Sequence, residues 1–353
     1  MLHLAQIGDL DELIVGFGDG DIKLYAIDLH EPKRDNASLH MRQAFEKKHS
    51  SHVYSLIRFQ SAQDENTLVA SASHDKNIVV WSRQAKSKEN FYPEFKYEAT
   101  LESGHSSHVN ELIELKTHQS NSSGKTMASC SADGTIIVWR LDDEKKKFVK
   151  TKTLLAEKNV VGLETLIYVP THEELVSAYF DRSTGHSLVH VWSTKTVNNL
   201  FEFEDKQIIQ LKSNVWSLLE LAIKKDSKSD GASWIVSGHQ NGSICLWTKK
   251  DTNYELRQTL NDDVENRDQQ QHTNEIRSLL ELEHNHDLIS GSLFKIVIYA
   301  FDVSNGEFQL KQTLNKHDCF VWCLVSLLKS KEDKAERGMF ASGSDDKTIK
   351  IWS

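Results

Sequence analysis

One short segment recurs along the whole chain and limits its fold more than any other feature. "LVASASHDKNIVVW" ends at Trp81, "MASCSADGTIIVW" at Trp139, "ELVSAYFDRSTGHSLVHVW" at Trp192, "WIVSGHQNGSICLW" at Trp247 and "ASGSDDKTIKIW" at Trp352. Two weaker copies, "LIVGFGDGDIKLY" and "LISGSLFKIVIY", end at Tyr25 and Tyr299. Each reads as a β-hairpin, two apolar runs joined by a polar turn. The seven copies lie 52 to 58 residues apart. Before each stands a Leu-, Ile- and Val-rich strand, as in "HVYSLIRF", "HVNELIEL", "NVWSLLEL", "EIRSLLEL" and "FVWCLVSL". After it comes a third kind of strand, as in "FKYEATLE" and "KFVKTKTLL". One unit is therefore about four short strands. A sheet this small cannot bury both faces alone, but copies packed radially can. A length of 353 residues would otherwise suggest two or more domains.

At these residues the chain resembles the WD-repeat (WD40) β-propellers over essentially its whole length. The resemblance implies an all-β fold: a single seven-bladed β-propeller of four-stranded antiparallel blades, spanning residues 1–353. The blades fall near 1-48, 49-104, 105-158, 159-211, 212-271, 272-316 and 317-353. It also implies structural tetrads, in which a His before the first strand, a Ser on the second, an Asp in the turn and a Trp on the third are joined by hydrogen bonds. Three units carry all four: His49, Ser71, Asp75, Trp81; then His105, Ser129, Asp133, Trp139; then His317, Ser342, Asp346, Trp352. Such a network satisfies its own buried polar groups. Departures are clear. The Asp that usually follows the Trp is replaced by Ser82, Arg140, Ser193, Thr248 and Ser353. Asn159 and Leu211 replace the His in the fourth and fifth units, and Tyr replaces Trp in the first and sixth.

The N-terminal "LAQIGDLDELIVG" aligns without a gap on "LLELEHNHDLISG". The N-terminus therefore supplies the innermost strand of the first blade, and the last blade is one strand short. The leading expectation is that the sequence is a fragment of a longer chain. The others are a ring closed on a three-stranded blade, and a partner that donates the strand.

Composition narrows the function. Net charge is −9, which argues against broad nucleic-acid binding and mildly favours basic partners. No apolar run is long enough to span a membrane, and the N-terminus is not a signal peptide. The four cysteines form no C-x-x-C pair, so no structural zinc is expected, and reduced thiols fit a cytoplasmic or nuclear chain. "SGKT" at 123–126 lacks the glycine of a phosphate-binding loop, "GHS" at Gly104 and Gly185 makes no nucleophile elbow, and "EHNHD" around His284 and His286 reads as a solvated turn. No catalytic constellation, cofactor, metal or small-molecule substrate is expected.

The expected function is a scaffold for protein or peptide partners, engaged at the top mouth of the propeller channel, where the innermost strands begin. Aligning the units on Val53, Val109, Val215, Ile276 and Val321 places Tyr54, Asn110, Trp216, Arg277 and Trp322 next along the strand. His52, His108, Asn214, Glu275 and Phe320 come before it, and in the fourth unit Glu164 follows Leu163, at the position of Tyr54 and Trp216. Tyr54, Trp216, Phe320 and Trp322 would supply aromatic faces, with Glu164 and Glu275 adding negative charge, a setting for an Arg- or Lys-containing peptide. Equally, these aromatics could be core. The turn residues His74, Ala132, Gln240 and Asp345 would form an outer rim, and Arg58, Glu114, Glu220 and Glu281 would face channel water. The alternative function is the substrate-receptor subunit of a cullin-type ubiquitin ligase. That reading is weakened by "WSRQ", "WSTK" and "WTKK", which lack the Trp-Asp-x-Arg docking pattern; Arg83 stands one position early.

Overall fold

The computed structural model describes residues 2–6, 12–28, 38–59, 66–85, 93–101, 104–116, 125–142, 144–155, 160–181, 184–198, 200–222, 234–261, 272–282, 284–302, 304–327 and 338–353. The insertions "KTHQSNSSGK", "KKDSKSDGAS" and "KSKEDKAERG" lie mostly outside them, as does Asn159. Seven separate antiparallel meanders follow one another. Blade 1 holds β1 (Leu2–Gln6), β2 (Glu12–Phe17), β3 (Ile22–Asp28) and β4 (Ser38–Ala44). Blade 2 holds β5 (Val53–Phe59), β6 (Asn66–Ser73), β7 (Ile78–Gln84) and β8 (Lys96–Leu101). Blade 3 holds β9 (Val109–Glu114), β10 (Thr126–Ser131), β11 (Thr135–Asp142) and β12 (Lys147–Leu155). Blade 4 holds β13 (Val160–Val169), β14 (Glu174–Asp181), β15 (His186–Val197) and β16 (Leu200–Leu211). Blade 5 holds β17 (Val215–Leu221), β18 (Trp234–His239), β19 (Ile244–Lys250) and β20 (Asn253–Leu260). Blade 6 holds β21 (Ser278–Leu282), β22 (Asp287–Gly291), β23 (Ile296–Asp302) and β24 (Glu307–Leu314). Blade 7 has three strands, β25 (Val321–Leu327), β26 (Met339–Ser344) and β27 (Ile349–Trp352). This is the blade architecture of a β-propeller, with β1 in the innermost place of the first blade and the last blade one strand short.

The chain divides into two compact units, one built on β1–β12 and the other on β13–β27. The first strands of blades 1 to 3 are neighbours in one, and those of blades 4 to 6 in the other. Burial follows strand position. β10 is buried at every residue and β7 at its first four, and the two faces of β7 meet blades 1 and 3. They read accordingly as nearly continuous apolar or small-residue runs. The outer β20 alternates with exposed residues instead. Close approach fixes some positions as glycine. A Cβ on Gly238 would stand 2.6 Å from Ile276, just before β21. Among the described residues, no helix is long and apolar enough to cross a membrane.

Candidate partner-binding site

The tetrads hold the hairpin of each complete unit to the segment before its first strand. His49 lies 2.8 Å from the Ser71 hydroxyl and 2.9 Å from Asp75, and the Trp81 indole N–H donates to Ser71 at 3.1 Å. His105, Ser129, Asp133 and Trp139 repeat the pattern, as do His317, Ser342, Asp346 and Trp352. Burial alone would raise Asp133, but hydrogen bonds from His105, Thr135 and Ser106 hold it well below the usual carboxylate range. Blade 5 reaches the same hub differently. Leu211 stands where the His would be, and His239, two residues beyond Ser237 on the same strand, contacts the Ser237 hydroxyl at 2.9 Å. Burial lowers its pKa to about 4. In blade 6, His272 contacts Ser290 at 2.7 Å, and burial lowers its pKa to about 3.

These networks aim the turn residues at the start of each first strand. The N–H groups of His74, Ala132, Gln240 and Asp345 donate to the carbonyls of His52, His108, Asn214 and Phe320. In the first unit this gathers four rings. His74 stacks on His108 with centroids 5.1 Å apart, and Tyr54 lies 5.9 Å from both. His52 lies 6.1 Å from Tyr54. Burial, and then the charge of His74, lowers the His108 pKa. Among the described residues no group of three or more His, Cys, Asp or Glu is placed to hold a metal ion.

The second unit holds the other cluster. The Arg277 guanidinium lies 3.8 Å from the Trp216 ring and 4.6 Å from the Trp322 ring. Its Nη2 donates to Glu275 at 2.6 Å. Phe320 lies 5.9 Å from Trp322. Burial raises the Glu164 pKa, and the charge of Arg277 partly offsets this. Both tryptophans are half-buried rather than core. Each indole N–H is shielded from solvent and finds no acceptor among the described residues. The alignment set Trp216, Arg277 and Trp322 at equivalent positions, and the three side chains do meet, but it did not show that Arg277 already covers the two indole faces. The signal was present, since Arg277 occupies the same aligned position as Trp216 and Trp322.

The acidic set differs from expectation. Glu281 is buried rather than facing channel water. It accepts from the Ala222 N–H at 2.6 Å and contacts His286 at 2.7 Å, so "EHNHD" is tied to the sheet. Glu220 is pushed up to about 7 by burial and then by the charge of Glu281.

The WD domain, G-beta repeat family matches residues 42–82, 95–140 and 308–353. The chain carries WD repeats. No curated protein sequence matches this WD-repeat chain. Many solved chains share its fold. One is the crystal structure of the Chaetomium thermophilum Sqt1 bound to the N-terminus of the ribosomal protein L10, at TM-score 0.63 and 16% identity. The similarity covers 97% of the present chain and 81% of that one.

Proposed function

We propose that this WD-repeat protein is a non-catalytic protein-interaction platform. The Trp216–Arg277–Trp322 stack is its contact point in the second unit. The stack itself carries this reading. Trp and Arg are the residue types that dominate interface energetics. Here they are half-exposed and pre-ordered, with Glu275 holding the guanidinium. Two shielded indole N–H groups without acceptors cost about 1–3 kcal/mol each, and a bound carbonyl or carboxylate would relieve that. That the similar Sqt1 is bound to a peptide segment supports peptide capture by a fold of this kind. An Arg- or Lys-containing peptide would have to displace Arg277, so the proposed contact is Arg277 and the indole edges. The ligase-receptor alternative gains nothing from Arg83, which is 4% exposed, pairs with Glu12 at 2.7 Å and lies over Phe95.

The test is an affinity pull-down with mass spectrometry on wild type, Trp216→Ala/Trp322→Ala and Arg277→Ala, after confirming that all melt alike. A partner set lost from both variants supports the proposal. Identical partner sets would remove it. Stronger capture by Arg277→Ala would show that the indole faces seat a partner's cation instead.

A further inference from the structure

The turn that leads into the third strand of blade 6 departs from its counterparts. In blades 1, 2, 3, 5 and 7 the residue two places before an Ile of the third strand is Gly20, Lys76, Gly134, Gly242 or Lys347. Each has a left-handed backbone, with φ between 66° and 89°. Glycine adopts that conformation freely, and a lysine there keeps its flexible stem in water. Blade 6 has Phe294 in this place, at φ 64°. A bulky side chain at positive φ is strained. The Phe294 ring is 47% exposed, so burial offsets only part of that strain.

The turn is also one residue shorter. Ile78, Ile136 and Ile349 stand five positions after Ser73, Ser131 and Ser344, whereas Ile296 stands four after Ser292. What the shorter turn lacks is the Asp that accepts from the loop before the first strand, as Asp75, Asp133 and Asp346 do from the N–H groups of Ser50, Ser106 and Asp318. The blade 6 turn is fastened to the start of blade 7. The Phe294 N–H donates to the Cys319 carbonyl at 3.1 Å, and the Val321 N–H donates to the Ser292 carbonyl at 3.0 Å. Leu293 pairs with Phe320 through a single bridge. Leu293 itself stands where His74, Gln240 and Asp345 are polar.

This turn extends the stack outward. Leu293, Phe320, Trp322 and Trp216 are half-buried, and Phe294 is exposed. Phe320 lies 5.9 Å from Trp322, and Arg277 spans Trp322 and Trp216. An apolar face thus runs from the turn to the stack, interrupted by Arg277, Glu275 and the two indole N–H groups. Contiguous exposed apolar patches mark interaction sites. Residues 262–271, DDVENRDQQQ, come before this face in sequence and hold one apolar residue, Val264, so that segment brings no large side chain to cover it.

We propose that Phe294 is a specificity-determining anchor of the partner site, selecting extended segments of a partner protein that carry a large apolar side chain. This role rests on the stack being the point of contact. The selected side chain packs on the Phe294 ring, while carbonyls of the same segment accept from the indole N–H groups. Strain in the turn is then tied to binding, since it holds an aromatic ring at the rim where the other turns hold glycine or lysine.

The probe is a random dodecapeptide display library panned on the full chain. Enriched peptides are then synthesised, labelled with fluorescein and titrated by anisotropy. They should share one Leu, Met, Phe or Trp. Phe294→Gly removes ring and strain together, so it should melt within about 2 °C of wild type yet bind these peptides about tenfold or more weakly. Phe294→Lys, which copies Lys76 and Lys347, serves in its place if the glycine variant melts early. Phe294→Tyr should bind within about twofold of wild type, because the ring is kept. Replacing the shared apolar residue of the peptide by Ala should weaken binding about tenfold on wild type and almost no further on Phe294→Gly, the coupling expected of two groups in contact. Binding kept by Phe294→Gly but lost by Trp216→Ala/Trp322→Ala overturns the role of Phe294 and leaves the stack standing. Binding kept by both variants removes both readings. Full additivity of the two truncations, failure to enrich any peptide, or a consensus that reproduces residues 262–271 of this chain overturns the proposal.

Discussion

Blades 3 and 5 solve one problem with different histidines. In both, a serine on the second strand accepts the indole N–H of the Trp on the third, Ser129 from Trp139 and Ser237 from Trp247, each at 2.9 Å. In blade 3 the imidazole enters from the loop before β9, and Asp133 meets its other nitrogen at 3.2 Å. That Asp also accepts the Ser106 N–H, so the network ties loop, turn and core together. In blade 5 the imidazole belongs to the strand itself. The Asn241 side chain accepts from the Ser243 N–H and hydroxyl, and its backbone N–H donates to the Ser213 hydroxyl in the segment before β17. The serine hub is the constant, and the route by which the preceding loop is anchored is the variable: the Asp133 carboxylate in blade 3, the Ser213 hydroxyl in blade 5.

Striking out the hub should give the largest effect. Ser129→Ala leaves two buried nitrogens, on His105 and Trp139, without their partner. A loss of about 2–4 kcal/mol in urea unfolding is expected. Ser290→Ala in blade 6, where the Tyr299 hydroxyl finds no partner among the described residues, should cost less because one buried nitrogen, on His272, loses its partner rather than two.

Acid should separate the blades next. His239 and His272 have folded pKa values below the unfolded 6.5, so the unfolded chain takes up protons first. Their contribution is full above pH 6.5 and is lost as pH falls, by about 2–3 kcal/mol for His239 near pH 4. His239→Gln should flatten the stability curve between pH 6.5 and 4. Asp133, held low, keeps its contribution down to the unfolded carboxylate range and loses it only below, so Asp133→Asn should leave that window unchanged.

A smaller change is expected from Asp133→Asn at neutral pH, about 1–2 kcal/mol, because the amide still accepts but carries no charge toward His105. Asn241→Ala in blade 5 should cost less, and thermal melts of the two variants side by side would show the difference. The smallest effect belongs to Glu220. Its folded pKa of about 7 lies above the unfolded value, so its contribution is full below about pH 4.5 and is lost as pH rises through 7. Glu220→Gln should therefore gain on wild type at pH 8 relative to pH 5.

The hairpins were legible because each ends on an aromatic and turns on a polar pair, and the first strands because in five units a Val or Ile stands at or just before the start at a fixed offset. Those local patterns placed β1 in blade 1 and left blade 7 with three strands. His239 escaped notice because it lies on the strand, outside the offset that marks His105. The paired hydrogen bonds of Gln43 with Phe95, Gln207 with Tyr254 and Gln258 with Phe308 escaped because each joins two blades across about fifty residues, and no local periodicity records such a partner. Arg277 over its two indoles is a meeting of three units, visible only once the first strands lie side by side.

Seven similar sheets pose a question of order, because any hairpin of this chain could pair with the wrong neighbour. The junctions carry different chemistry. Glu12 of blade 1 meets Arg83 of blade 2, both almost wholly buried, with Arg83 over Phe95. Glu174 of blade 4 meets Lys249 and the Tyr254 hydroxyl of blade 5. Between blades 5 and 6 the contact is Trp234 against Phe301. A blade docked out of turn would leave Glu12 and Glu174 only the cations of their own blades, Arg42 and Lys206, and would leave Arg83 buried without its carboxylate, a penalty of several kcal/mol. The sequence thus writes an address at each boundary, and a chain shuffled blade by blade would keep every hairpin yet lose the instructions for its own assembly.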